Sequence, residues 1–67
     1  MNISVKFGKR LRTIRLKKGM SQGDVAKRLE VHRTYISKIE RGIQNLSLKG
    51  MEKLAKAIGI SVGELIK

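Results

Sequence analysis

Residues 21–42 read SQGDVAKRLEVHRTYISKIERG, and this stretch predicts two short helices that meet at a tight corner. Ser21 is a favourable N-cap because its hydroxyl can accept a hydrogen bond from a free amide of the first turn, so we expect a helix over about residues 22–29. Gly42 is typical of the position just beyond a helix C-terminus, so we expect a second helix over about residues 33–41. The short connection between them is typical of a helix-turn-helix corner.

The remainder of the chain predicts three more helices around this pair. Apolar residues recur at helical spacing over residues 5–18, which indicates an amphipathic helix with one buried face. A fourth helix is expected after Ser47 and a fifth after Ser61, because each serine is a favourable N-cap. We therefore predict an all-α fold of five helices in a single domain, residues 1–67.

The charge of the chain indicates a polyanionic partner. Its 16 Lys and Arg residues outnumber its 5 Asp and Glu residues, which gives a net charge of +11 in 67 residues. Residues 1–33 carry ten basic and two acidic side chains, a net +8, whereas residues 34–67 carry six and three, a net +3. Such a field favours nucleic acid, and the first half of the chain is expected to face it.

The composition argues against an enzyme, a metal site and a membrane protein. The chain has no cysteine and a single histidine, His32, so no metal or other cofactor is expected. The scattered acidic residues form no acid–base pair for catalysis. No apolar run approaches membrane length and no signal peptide is recognisable, so we expect a cytoplasmic protein without a membrane partner. His32 either caps the helix that follows it or faces solvent.

Residues 21–42 resemble the helix-turn-helix of the Cro/phage-repressor-like (XRE) family, with the motif at about residues 22–41. The resemblance continues through LAKAIGIS at residues 54–61 and covers about residues 7–66. Residues 33–47, RTYISKIERGIQNLS, are similar to the controller proteins that regulate restriction-modification operons. The resemblance implies a five-helix lambda-repressor-like domain that regulates transcription by binding double-stranded DNA. The matching positions are Arg15, Gly19, Gln22, Ala26, Ile36, Glu40 and Gly42.

The resemblance makes the third helix the one that enters the major groove. Outward residues near the N-terminus of such a helix can reach base edges. We expect Arg33 to contact guanine and Thr34 to contact a thymine methyl or a base acceptor, while Lys38 contacts either guanine or a phosphate. Tyr35 is either a core residue or a lesser contact through its hydroxyl.

Phosphate contacts are expected on both sides of this helix. Gln22 opens the second helix, where free amides also point outward, and the resemblance makes it a phosphate clamp. Ser37, Arg41, Asn45 and Ser47 are the other candidates. Local turn formation and helix capping explain Asn45 and Ser47 equally well.

Two further positions are interpreted through the resemblance. It implies that Arg15 and Glu40 form a largely buried ion pair between the first helix and the end of the third, although two separately solvated charges are the alternative. Glu30 stands at the corner where the family commonly has glycine in the left-handed conformation. A side chain there costs about 1–2 kcal/mol, so the corner is either strained or built differently.

Apolar residues near the C-terminus predict a homodimer. Ile60, Val62, Leu65 and Ile66 remain after the core is assigned, and we expect them to meet their own copy. A two-fold pair would place two third helices about 34 Å apart, one turn of DNA, on a near-palindromic operator. The alternative is that these residues close the core of the monomer.

Two other functions are consistent with the same sequence. An antitoxin of a toxin-antitoxin pair has this fold and also binds a small toxin. A basic RNA-binding or membrane-surface module would need only the first helix. Copurification of a toxin, competition between duplex DNA and RNA, and vesicle flotation separate these cases.

Overall fold

The structure is a computed structural model that describes residues 3–66, and within that range it consists of five α-helices without a strand. The helices are α1 (Ile3–Lys17), α2 (Gln22–Leu29), α3 (Arg33–Glu40), α4 (Leu48–Ile58) and α5 (Val62–Ile66). The predicted all-α fold of five helices is confirmed. α1 begins two residues earlier than expected, and α3 ends one residue earlier because Arg41 is its C-cap.

An aliphatic core joins all five helices. Its members are at most 8% exposed and are Phe7, Leu11, Ile14, Val25, Ala26, Ile36, Ile39, Leu54, Ala55, Ile58 and Leu65. Phe7 is the one aromatic ring in this set, so most of the core is built from branched aliphatic side chains. Ala26 of α2 is 3% exposed, so a larger side chain there would overpack the core.

Serine side chains cap the N-termini of α2 and α4, as the sequence indicates. The Ser21 hydroxyl accepts from the Asp24 amide at 3.0 Å, and the Asp24 carboxylate accepts from the Ser21 amide at 2.8 Å, which completes a capping box. Ser47 accepts from the Gly50 amide at 3.1 Å and caps α4. These contacts pair amides that the first helical turn leaves without an intrahelical partner.

The corner between α2 and α3 is strained rather than rebuilt. Glu30 has φ 61° and ψ 43°, the left-handed conformation, and it is the one described non-glycine residue with positive φ. The Val31 amide donates to the Ala26 carbonyl at 3.0 Å and closes the turn. Glu30 therefore carries the cost of about 1–2 kcal/mol that glycine would avoid.

Two glycines allow the backbone of α1 to lie directly against the end of α3. A Cβ on Gly8 would overlap the Ile39 carbonyl oxygen and lie 2.7 Å from that of Glu40. Gly42 has φ 77°, and a Cβ on it would lie 2.7 Å from the Cα of Val5. α1 thus fixes the position of the C-terminal end of α3 through backbone contact.

Arginine side chains form hydrogen bonds at two further helix junctions. The Arg10 Nε donates to the Glu64 carbonyl at 3.0 Å and ties α1 to α5. The Arg28 Nη1 donates to the Ala57 carbonyl at 3.1 Å and ties α2 to the end of α4.

Over residues 3–66, no helix combines the length and apolar character needed to cross a bilayer.

Candidate nucleic-acid interface

α3 lies at the surface with one face in the core and the other in solvent. Ile36 and Ile39 are at most 1% exposed and fix how the helix rests on the body. Arg33, Thr34 and Lys38 are exposed. At 100° per residue, Thr34, Ser37, Lys38 and Arg41 fall on the side of α3 opposite the buried isoleucines, and Arg33 falls at the edge of that side. The exposed face of α3 is therefore polar and cationic.

His32 and Tyr35 support α3 in different ways. The His32 Nδ1 accepts from the Thr34 amide at 3.1 Å, so His32 is the N-cap of the helix. Tyr35 is half-buried, packs against the core and lines a groove of about 300 Å³ between α3 and α4. The Tyr35 ring thus contributes to the core, and the residue also lies at the edge of the exposed face of α3.

Arg15 and Glu40 form an ion pair beneath the end of α3. The Arg15 Nε and Glu40 Oε2 are 2.6 Å apart, the second contact joins Nη2 to Oε1 at 3.0 Å, and the side chains are 9% and 5% exposed. The Arg15 Nη1 also donates to the Met20 carbonyl at 2.8 Å. The hydrogen bond to Glu40 is the main reason that the pKa of Arg15 is raised, and it outweighs desolvation. The pair connects α1, the turn before α2, and α3.

Gln22 extends this ion pair to the exposed face, which the sequence did not indicate. Its Nε2 donates to the Glu40 Oε1 at 3.1 Å. Its Oε1 accepts from the Arg33 Nη1 at 3.2 Å. Gln22 was expected to contact a phosphate and Arg33 a guanine base. In the structure the two side chains are in contact with each other.

The remaining phosphate candidates lie at the end of α3 and beyond it. Ser37 is half-buried, and Arg41 is exposed at the C-cap of the helix. Asn45 is exposed and accepts from the Ser4 hydroxyl at 3.4 Å through its Oδ1. The Ser47 hydroxyl oxygen caps α4. Of the two roles considered for Ser47, phosphate contact and helix capping, capping is present in the structure.

The Helix-turn-helix family model matches residues 11–65, which include α2, α3 and the corner at Glu30. The chain belongs to the helix-turn-helix family. The control protein C.BamHI of Bacillus amyloliquefaciens is 48% identical over 66 residues, which are 97% of this chain and 82% of that protein.

Solved structures of helix-turn-helix controller proteins have the same fold. The restriction-modification controller protein C.AhdI from Aeromonas hydrophila superposes with a TM-score of 0.87 at 45% identity, over 92% of this chain and 94% of that one. The controller protein C.Esp1396I, solved as a tetramer in complex with its natural 35 base-pair operator, superposes with a TM-score of 0.84 at 35% identity, over 100% and 99% of the two chains. The resemblance to controller proteins is confirmed.

The C-terminal residues of this helix-turn-helix domain divide between core and surface. Leu65 is 0% exposed and lies in the monomer core, which corrects the expectation that its side chain meets a second copy. It is buried because α5 packs against both α1 and α4. Ile60 and Val62 are half-buried against the core, and Ile66 is 52% exposed.

An exposed residue of α1 extends the apolar surface beside Ile66. Ile3 is 78% exposed and lines a groove of about 250 Å³ together with Phe7, Met51 and Ile66.

Across residues 3–66, no three histidine or acidic side chains lie close enough together to hold a metal ion.

Proposed function

We propose that the chain is a sequence-specific transcriptional regulator that binds double-stranded DNA as a homodimer, with α3 in the major groove. The observation that carries the proposal is the polar, cationic face of α3, which stands on an aliphatic body in a chain of net charge +11. A helix about 10–12 Å wide fits a major groove about 12 Å wide. The family is one of DNA-binding regulators, so we propose no catalytic activity, and we place the protein in the cytoplasm.

The exposed start of α3 reads bases. Arg33 engages one N–H in its contact with Gln22 and keeps its other donors for guanine O6 and N7. Thr34 contacts a base acceptor or a thymine methyl, and Lys38 contacts guanine. Tyr35, which is half-buried, adds a lesser contact through its hydroxyl.

Phosphates on the far side of the groove meet the end of α3 and the loop that follows. Ser37 and Arg41 lie on the exposed side of α3, and Asn45 and Ser47 continue beyond its end. The amides of the first turn of α4 lie next to Ser47 and favour an anion. These contacts set the register of the protein on the duplex and carry little sequence information.

The homodimer is supported by the apolar surface at the C-terminus and by the tetramer of C.Esp1396I on its operator. We place Ile66 at the centre of the contact, with Ile60 and Val62 beside it. Ile3 extends the same surface. A two-fold axis there would space two copies of α3 about 34 Å apart.

Selection from a random duplex library, followed by affinities for the selected and random duplexes at one salt concentration, tests the proposal. We expect Arg33→Ala to reduce discrimination by about 1–3 kcal/mol. Lys17→Ala is the matched control, since Lys17 is exposed on the side of α1 opposite Gly8. Equal affinity of the parent for selected and random duplexes would refute sequence-specific binding, and preference for RNA of the same sequence would favour an RNA-binding module. Copurification of a small toxin would favour an antitoxin.

Sedimentation equilibrium tests the dimer contact. Ile66→Asp should shift the chain toward monomer, because the carboxylate would lose its hydration in an apolar interface. Leu16→Asp is the control, since Leu16 is similarly exposed, at 56%, on α1. The same mass distribution for both variants would remove Ile66 from the interface.

A further inference from the structure

We propose that His32 donates a hydrogen bond from its Nε2–H to a phosphate of the bound duplex while its Nδ1 caps α3. The same ring then stabilises the start of the helix and anchors it to one strand. This inference rests on the function proposed above, because it adds a contact to the same interface.

The capping hydrogen bond determines which nitrogen of the His32 ring carries the proton. Nδ1 accepts from the Thr34 amide at 3.1 Å, so it presents a lone pair. A neutral imidazole has one bare nitrogen and one N–H. The proton of the neutral ring is therefore on Nε2, a tautomer assigned from the hydrogen bond that Nδ1 accepts.

The Nε2–H of His32 is a donor that the fold does not use. The residue is exposed, and within residues 3–66 its Nε2 makes no hydrogen bond. The two nitrogens lie on different sides of the ring, so the Nε2–H points away from the Thr34 amide. The serine caps differ, because the Ser21 and Ser47 hydroxyls accept from their helices and are too short to reach further. Histidine supplies a cap and a second, separately directed donor.

His32 lies where the chain enters α3, before the residues of its exposed face. Its backbone is extended, with φ −73° and ψ 145°, and it follows the corner at Glu30. When α3 lies in the major groove, the segment that leads into the helix passes the sugar-phosphate strand that borders the groove. Phosphate oxygens only accept hydrogen bonds, so they complement the Nε2–H. Such a contact fixes the register of α3 and reads no base.

Replacing His32 with serine separates the cap from the donor. His32→Ser keeps a good N-cap and removes the Nε2–H, so its Tm should match that of the parent. Its affinity, measured at pH 8 where imidazole side chains are neutral, should fall about 3- to 10-fold for each bound chain. Selected and random duplexes should be affected by the same factor. The salt dependence of binding should not change, because a neutral donor displaces no counterion.

His32→Ala is the matched variant that removes both the cap and the donor. It should melt about 4–8 °C below His32→Ser and bind DNA no more tightly. Equal affinity of His32→Ser and the parent would overturn the inference. A loss confined to the selected duplex would also overturn it, because His32 would then contact a base.

Neutralising single phosphates of the selected duplex locates the contact. A methylphosphonate replaces one anionic oxygen by a methyl group, and at one position in each half-site it should weaken the parent but not His32→Ser. This comparison holds even if the serine variant is less stable than the parent, because each protein serves as its own reference. If every methylphosphonate weakened both proteins by the same factor, His32 would contact no phosphate.

A measurement without DNA separates this inference from the proposed function. Two-bond ¹H–¹⁵N couplings of the His32 ring should show a protonated Nε2 and a bare Nδ1 at pH 8. The opposite tautomer would overturn the inference. A parent that selects no duplex would refute the DNA-binding proposal instead, and the ring couplings would still decide which nitrogen carries the proton.

Discussion

Replacing Gly8 with alanine tests whether α1 supports α3 by direct backbone contact. The new Cβ would overlap the Ile39 carbonyl oxygen and lie 2.7 Å from that of Glu40, and neither atom can rotate away as a side chain would. Overpacking costs about 1–3 kcal/mol, of which alanine recovers up to about 1 kcal/mol through helix propensity. Because the obstruction is backbone, we expect a net loss of about 1–2 kcal/mol in the free energy of unfolding.

Thermal unfolding followed by circular dichroism measures this loss. A domain of this size loses about 4–8 °C in Tm for each kcal/mol, so Gly8→Ala should melt about 4–16 °C below the parent. Gly23→Ala is the matched control, since Gly23 is also helical but the nearest atom to a Cβ there is the Ser21 Oγ at 3.6 Å. That variant should melt at or slightly above the parent temperature. If Gly8→Ala melted as high as Gly23→Ala, the close packing of α1 on α3 would be wrong.

Three further predictions concern charge and backbone conformation. Arg15→Met or Glu40→Met alone should lower the free energy of unfolding by about 3–5 kcal/mol, because a buried charge loses its partner. The double variant should recover part of this loss. Denaturant unfolding measures all three variants, and losses that simply add in the double variant would contradict the coupling. Hydrogen bonds from Ser21 lower the pKa of Asp24 from its ordinary 3.8. That contribution to stability is present above about pH 4 and is lost as the pH falls through the folded-state pKa, so Asp24→Asn should flatten the dependence of Tm on pH below about pH 4; parallel curves would count against it. Glu30→Gly should stabilise the corner by about 1 kcal/mol and Glu30→Ala should not, as compared by thermal unfolding.

Features set by neighbouring residues were predictable from the sequence. Ser21 and Ser47 begin helices because each hydroxyl reaches an amide three residues ahead, a distance that the sequence itself specifies. Glu30 was identified as the exceptional corner residue, and it has the left-handed conformation. Helical spacing likewise placed Ile36 and Ile39 in the core and left the opposite side of α3 exposed.

Features that depend on contacts between distant residues were not predictable. Gly8 has no local signal for its contact with the carbonyls of α3, more than 30 positions away in the sequence. The contact of Gln22 with Arg33 depends on how α2 crosses α3, which no spacing rule specifies. Leu65 was placed at a surface because a short chain was expected to leave its last apolar residues uncovered, yet α5 folds back far enough to bury it completely.

The position of Tyr35 gives the protein a built-in optical reporter. The chain has one tyrosine and no tryptophan, so its tyrosine fluorescence arises from a single ring. That ring is half-buried beside the groove between α3 and α4. Ligand engagement or partial melting at this groove changes the surroundings of one fluorophore, and both events are therefore measurable in the unlabelled protein.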